Sequence, residues 1–384
     1  MVIEQKKLDD LEAIKVLDPS NMWERMRTVP EQISSAAAQV SAMAFPPSYR
    51  DAKAVVFAGM GGSAVAGDFV QSVLSLALRT PIFVVSRGYS LPLWVDENTL
   101  VFISSYSGNT AETLACFDDG VRRSAMLVVF TSGGELYQKA KGAGVPIFDV
   151  AGFVYPGFPR DTLEPRTTVV ASFMGSLGIL CDLGLAQFGG DLDVDKLRRV
   201  SKSVLDKYSP AMPTSTNFAK QLAIGLAGKV VVVYGTDFLD SVARRWKTQI
   251  NENANSWAFS EMFPDANHNS VNGYQLEENM QGNVEVVFIV PGPPFEARAP
   301  EKIAKARQLF EGREVSVRVV SIEEDLKELK AADAHNPALW YTHELILQIL
   351  IGSCLGDWVS YYMALLTEVD PSPVPHISAL KGIK

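Results

Sequence analysis

The chain has 384 residues, 47% of them hydrophobic and 21% charged, with a formal net charge of −9. That length exceeds one ordinary core and implies two domains, and the composition is that of a soluble globular protein. The acidic balance argues against a nucleic-acid binder, which needs a basic face to displace counterions, yet a local group of N–H donors, hydroxyls or one Arg can still hold an anionic metabolite.

The first residues, MVIEQKKLDDLEAIK, contain no apolar core of a secretory signal. Residues 1–50 read as an N-terminal helical extension that packs on the first domain. Five short β-branched or aromatic runs follow: KAVVFAG (53–59), PIFVVS (81–86), TLVFISS (99–105), AMLVVFTS (125–132) and VPIFDV (145–150). Segments of helical character separate most of them. Apolar on both faces, such strands predict a parallel sheet covered on both sides. RTTVVASFMGSLGILCDLGLAQF (166–188) reads as a long helix, and the glycine pair Gly189 and Gly190 as a domain boundary. Three more strands, KVVVVYG (229–235), VEVVFIV (284–290) and VSVRVVSI (315–322), predict a second α/β unit, with a helix over 237–255 between the first two. The domains expected are thus 1–50, 51–190 and 191–384.

Near the C-terminus, HELILQILIGSCLGDWVSYYMALL (343–366) is long and apolar, but Glu344, Gln348 and Asp357 interrupt it. Charge at bilayer depth is costly, so a buried or subunit-interface helix is expected rather than a membrane span. Such a helix needs cover, and a homodimer is the commonest way to supply it. Cys116, Cys181 and Cys354 form no CxxC pair, which suggests a reducing compartment, and the four His show no zinc spacing, so no metal is expected. His335 and His343 read as structural.

Two turns carry the chemistry. FAGMGGSAVAGD (57–68) follows the first strand and opens a helix. Gly59, Gly61 and Gly62 let the backbone approach a ligand, and Ser63 sets a hydroxyl by the helix N-terminus. The string also fits a dinucleotide fingerprint, but the acid expected at the end of the second strand is replaced by Arg87. That disfavours NAD and leaves an NADP site, with Arg87 on a 2′-phosphate, as an alternative. SSYSGNT (104–110) follows the third strand. Ser105, Ser107 and Thr110 would offer hydroxyls to a phosphate at the carboxyl edge, where a doubly wound sheet binds ligands, and Gly108 permits the tight turn. The plainer reading is that these hydroxyls merely cap a helix. A strand–Gly–helix pattern recurs in the second half as VVVYGTDFLDSV.

GMGGSAVAGD and SYSGNTAETL resemble the sugar isomerase (SIS) domain, a flavodoxin-like unit that binds phosphorylated sugars. EPR (164–166), QINENAN (249–255), DANHNSVNGY (265–274) and DPSPVPHISALK (370–381) narrow the resemblance to the bifunctional phosphoglucose/phosphomannose isomerase family, in order from about residue 53 to Lys381. The resemblance implies two tandem flavodoxin-like, doubly wound units and a homodimer. It implies aldose–ketose isomerisation of a hexose 6-phosphate without a cofactor. It places Ser63, Ser105, Ser107 and Thr110 on the phosphate, with Gly61 and Gly62 giving backbone room or N–H groups. Glu252 would be the base, Arg166 the enediolate stabiliser, and His268 with Lys381 the ring-opening pair, His268 reaching in from the neighbouring subunit and the C-terminal tail returning to the active site. Ser372 stands where many members have Thr, which bears on hexose preference.

From the residues themselves, a carboxylate suits proton transfer between C1 and C2. Glu252, late in its predicted helix, would overlook the carboxyl edge of the second sheet. Arg166, at the start of a long helix, opposes the helix dipole, a mild conflict that favours function, with a salt bridge to Glu164 as the plainer alternative. A cytoplasmic isomerase is expected. A non-catalytic sugar-phosphate sensor would not need Glu252 and Arg166. An amino-sugar isomerase or aminotransferring enzyme is a further alternative, though no glutaminase-like domain with an N-terminal Cys is present to feed it ammonia.

Overall fold

The computed structural model describes residues 2–75, 77–153, 163–188, 190–274, 282–293, 295, 300–326, 337–380 and 382. Packing divides the chain into two units that are discontinuous in sequence. One comprises Thr28–Ser201 and Ala331–Leu347, the other Met1–Arg27, Lys202–Lys330 and Gln348–Lys384.

The first unit is built on five parallel strands, β1 (Ala54–Gly59), β2 (Ile82–Ser86), β3 (Thr99–Ser104), β4 (Met126–Thr131) and β5 (Ile147–Asp149), in the order β2-β1-β3-β4-β5. All five expected runs form strands. This is the doubly wound flavodoxin-like order, and its strand order reverses between β1 and β3. One face of the sheet is an aromatic row: Phe57, Phe102, Phe130 and Phe148 are fully buried on four adjacent strands. Phe102 and Phe130 lie 5.3 Å apart, Phe130 and Phe148 5.0 Å. Helices Gly61–Leu74 and Val169–Asp182 come close to this row because they carry glycine there: a Cβ on Gly67 would lie 2.8 Å from the Phe57 ring, one on Gly175 2.5 Å from Phe148.

The helix Val29–Ala42 belongs to this unit. Its Gln39 side chain accepts from Asp149 N at 3.0 Å and donates to Asp149 O at 3.0 Å, finishing the edge strand β5 as a further strand would. The extension from Thr28 onward packs on the first sheet, Tyr49 included, whose OH donates to Leu127 O at 3.0 Å and accepts from Leu127 N at 3.2 Å. The helices before Thr28 join the second unit, correcting the expectation for residues 1–50 as a whole. The reason is a buried lysine. Lys220, 0% exposed, donates to Leu8 O (2.7 Å), Asp9 Oδ1 (2.9 Å), Pro210 O (2.9 Å) and Met212 O (2.7 Å), so the first helix supplies part of the oxygen cage that a buried ammonium requires.

The second unit has four parallel strands, β6 (Val230–Thr236), β7 (Ala258–Phe263), β8 (Val284–Val290) and β9 (Ser316–Ser321), ordered β7-β6-β8-β9. The long apolar segment is helix Pro337–Leu366, and 94% of its most apolar window is buried within the chain. From Gln348 onward it lies against helix Asp240–Asn253. Trp246 Nε1 donates to Gly352 O at 2.7 Å, a Cβ on Gly356 would strike the Trp246 ring at 2.3 Å, and Arg245 grips Asp357 with two bonds of 3.1 Å. The segment is therefore covered by its own chain. It does not need a second subunit for cover, so the argument for a dimer from this helix falls.

Candidate active site

In the first unit the two hydroxyl-bearing turns stand side by side. β1 and β3 pair in register, with Gly59 opposite Ser104, and a Cβ on Gly59 would lie 3.2 Å from Ser104 O. Both turns open helices, Gly61–Leu74 and Ala111–Arg122, and in neither does a side chain cap the first turn. Thr110 occupies the N-cap position, yet its Oγ1 accepts from Ser105 Oγ at 3.0 Å instead of from a helix N–H. The capping role is thus not the one these hydroxyls perform. Ser105 is buried, Ser63 and Thr110 are half-buried, and Ser107 is exposed. Two uncapped helix N-termini and a set of hydroxyls at one switch point suit a dianion.

The turn after β3 is locked to the turn after β4. Ser132 N and Oγ donate to Tyr106 O at 3.0 and 2.7 Å, Leu136 N donates to Gly108 O at 2.9 Å, and Asn109 Oδ1 accepts from Glu135 N at 3.0 Å. Asn109 and Ser132 escaped the sequence reading because nothing local shows that consecutive βα turns will meet.

Arg166 lies at the same edge. It sits in a tight turn, Pro165–Thr168, just before helix Val169–Asp182, not on the helix itself. Its side chain is 2% exposed, and a Cβ on Gly62 would lie 3.5 Å from its Cα. Arg87 is not free for a nucleotide phosphate: its Nη2 donates to Asp68 Oδ2 at 2.5 Å, on the helix that begins at Gly61. That pairing counts against the NADP alternative.

Glu252 and His268 belong to the second unit, and there one expectation is corrected. Glu252 lies in the last turn of helix Asp240–Asn253, half-buried. That helix starts at the carboxyl end of β6 and runs back to the start of β7, which pairs parallel to β6 through Val231 and Ala258. Glu252 is therefore at the amino edge of its sheet, because a crossover helix runs antiparallel to its strands. His268 follows the opposite end of β7, in the turn Asp265–His268, and is exposed. The six residues of β7 separate the two by roughly 17–20 Å. Lys381 lies outside the described residues. Among the described residues no group of three His, Cys, Asp or Glu could hold a metal.

Of the histidines read as structural, His335 lies outside the described residues. His343 is 3% exposed and its Nε2 accepts from Asp193 N at 2.8 Å, so it is the neutral tautomer there. Burial pushes the thiols of Cys116 and Cys181 up to about 11, far from nucleophilic.

Residues 215–334 and 340–383 match the family model of the bacterial phospho-glucose isomerase C-terminal SIS domain. A hypothetical protein from Thermus thermophilus shares the fold, with a TM-score of 0.66 at 16% identity over 99% of this chain and 93% of that one. By class, then, this is a double-SIS α/β protein of the phosphosugar isomerase kind. Among curated relatives, the bifunctional phosphoglucose/phosphomannose isomerase of Caldicellulosiruptor bescii is 31% identical over 94% of this chain and 98% of its own length. The D-glucosamine-6-phosphate 4-epimerase of Sulfolobus acidocaldarius is 30% identical over 64% of this chain and 71% of its own. The chain belongs to the bifunctional phosphoglucose/phosphomannose isomerase family.

Proposed function

We propose that this protein interconverts glucose 6-phosphate and mannose 6-phosphate with fructose 6-phosphate through a cis-enediol. The observation that carries the reading is the first switch point. There, hydroxyls that decline to cap their helices stand beside a buried arginine. Ser63, Ser105, Ser107 and Thr110 bind the phosphate, with the N–H groups at Gly61 and Gly62. After ring opening by His268 and Lys381, Glu252 takes the proton from C2 of the aldose and returns it to C1. Arg166 stabilises the enediolate oxygen more than the neutral sugar, which is where a fixed cation accelerates the step. A coupled assay started from fructose 6-phosphate, following both aldose products, tests this. Formation of neither would refute it, and glucosamine 6-phosphate in a parallel arm separates it from an amino-sugar enzyme.

We further propose a cytoplasmic homodimer in which His268 serves the partner's site. The separation of Glu252 and His268 across β7 supports this, since side chains cannot bridge it within one copy. Glu252→Gln and His268→Ala chains, unfolded and refolded together, should regain roughly a quarter of wild-type activity, because half the dimers are mixed and each has one intact site. A mixture as inactive as its parents, with subunit exchange verified, would refute the shared site.

A further inference from the structure

We infer that Gln32, in the N-terminal extension, is a positioning residue for Arg166; the inference rests on the reading of Arg166 as the enediolate stabiliser. Gln32 is 0% exposed, at the meeting of helices Val29–Ala42 and Val169–Asp182. Elsewhere that meeting is apolar and close: a Cβ on Gly178 would lie 3.2 Å from Val40. A primary amide in such a place is costly unless every polar atom is used.

Here each is used, two of the three bonds on the segment that carries Arg166. Nε2 donates to Thr167 O at 2.6 Å and to Thr28 Oγ1 at 2.8 Å, and Oε1 accepts from Ala171 N at 2.9 Å. Thr167 O is the carbonyl one residue after Arg166. Ala171 N is in the first turn of the following helix, where N–H groups have no intrahelical acceptor. Gln32 therefore holds the turn Pro165–Thr168 to the helix start from one side. From the other, Thr167 N and Oγ1 donate to Glu164 O at 2.9 and 2.8 Å. The backbone at Arg166 is thereby fixed against Gly62 and the phosphate turn. A guanidinium that must meet one oxygen of a transient enediolate loses effect when its backbone drifts, since a shift of about 1 Å can cost about a hundredfold in rate. The extension thus contributes to the chemistry without touching substrate.

The test is a double-mutant cycle on kcat with inhibition by inorganic phosphate as a second readout. Gln32→Met keeps the volume and removes all three bonds. It should lower kcat roughly 10- to 100-fold while the Ki of inorganic phosphate, held by the serine turns, moves less than about twofold. In an Arg166→Ala background the same change should alter kcat less than about twofold, because the group it positions is gone. An equal loss in both backgrounds would mean a general structural effect and overturn the inference. So would an unchanged kcat in Gln32→Met where Arg166→Ala is severely impaired. If Arg166→Ala itself keeps normal turnover, the reading of Arg166 fails first and the inference with it. Should Gln32→Met not fold, Gln32→Glu keeps the acceptor for Ala171 N and loses the donation to Thr167 O, and is read by the same outcomes.

Discussion

Gly108→Ala tests the proposed phosphate turn by geometry alone. Gly108 has φ +67°, and a Cβ there would lie 1.9 Å from Gly133 O. That is more than 1 Å inside the 3.0 Å limit that real Cβ contacts respect, and the obstacle is backbone, which cannot swing aside. The turn after β3 must therefore move away from the turn after β4, carrying Ser107 and Thr110 with it. Gly144 supplies the control: its φ is +68° and nothing lies within 4 Å of the added Cβ. Both substitutions incur the left-handed strain of about 1–2 kcal/mol. Only Gly108→Ala adds the collision. Losing one hydrogen bond to a charged phosphate costs about 1.5–3 kcal/mol, so the Ki of inorganic phosphate should rise about 10- to 150-fold in Gly108→Ala and stay unchanged in Gly144→Ala. Competitive inhibition by phosphate, with thermal melts of both variants, decides it. Equal phosphate affinity in the two, despite the larger stability loss that the collision gives Gly108→Ala, would show that the turn binds no phosphate.

Glu252→Gln keeps shape and removes basicity, so kcat should fall by about 10²–10⁴ with phosphate inhibition preserved; near-normal turnover would take the base role from Glu252. Ser107→Ala and Thr110→Ala should each weaken binding of 6-phosphosugars and inorganic phosphate in parallel, and unchanged phosphate inhibition in both would return the turn to a plain connection. Asp119, buried, is pushed up by desolvation, but hydrogen bonds from Arg122, Leu91 N (3.1 Å) and Arg123 (2.9 and 2.8 Å) outweigh this and hold its carboxyl below the ordinary 3.8. Its stabilisation is thus complete above pH 3.8 and lost as pH falls through the lower folded value. The melting-temperature gap between wild type and Asp119→Asn should therefore be wide at pH 7 and close in that acid range; a gap that stays constant would refute the assignment.

Most of the sheets were legible because their strands are buried on both faces and so read as unbroken β-branched runs. β7 was missed for the converse reason. AFSEMF lies at a sheet edge, and Phe259 and Met262 are 50% and 47% exposed, so no apolar run marks it. That omission led to the misplacement of Glu252: the helix end was read at 255, near the observed Asn253, but without β7 nothing showed that the chain had there returned to the amino edge of the sheet. Gln32 was invisible for a different reason. One glutamine in an amphipathic helix has no signature until the carbonyl it meets, 135 residues away in the chain, is known.

The repeated strand–Gly–helix pattern shows how far residue chemistry alone reaches. Both sheets have the same strand order about their first strand, so both present a switch point. After β1 the left-handed position is Gly61 (φ +51°), followed by Gly62 and Ser63, and the neighbouring turn brings hydroxyls. After β6 the left-handed position is Asp237 (φ +54°), a carboxylate that repels a phosphate, followed by Phe238 and Leu239. There Thr236 Oγ1 is spent on Ile289 O at 3.0 Å, and the turn after β8 is held by Gln348, which donates to Gly292 O at 3.0 Å and accepts from Gly292 N at 2.9 Å. Among the described residues, the second switch point spends its hydroxyl and turn amides on its own chain and carries the wrong charge for a phosphate. The proposed phosphate site therefore falls to the first switch point, and the residues that differ between the two strings are what favours it.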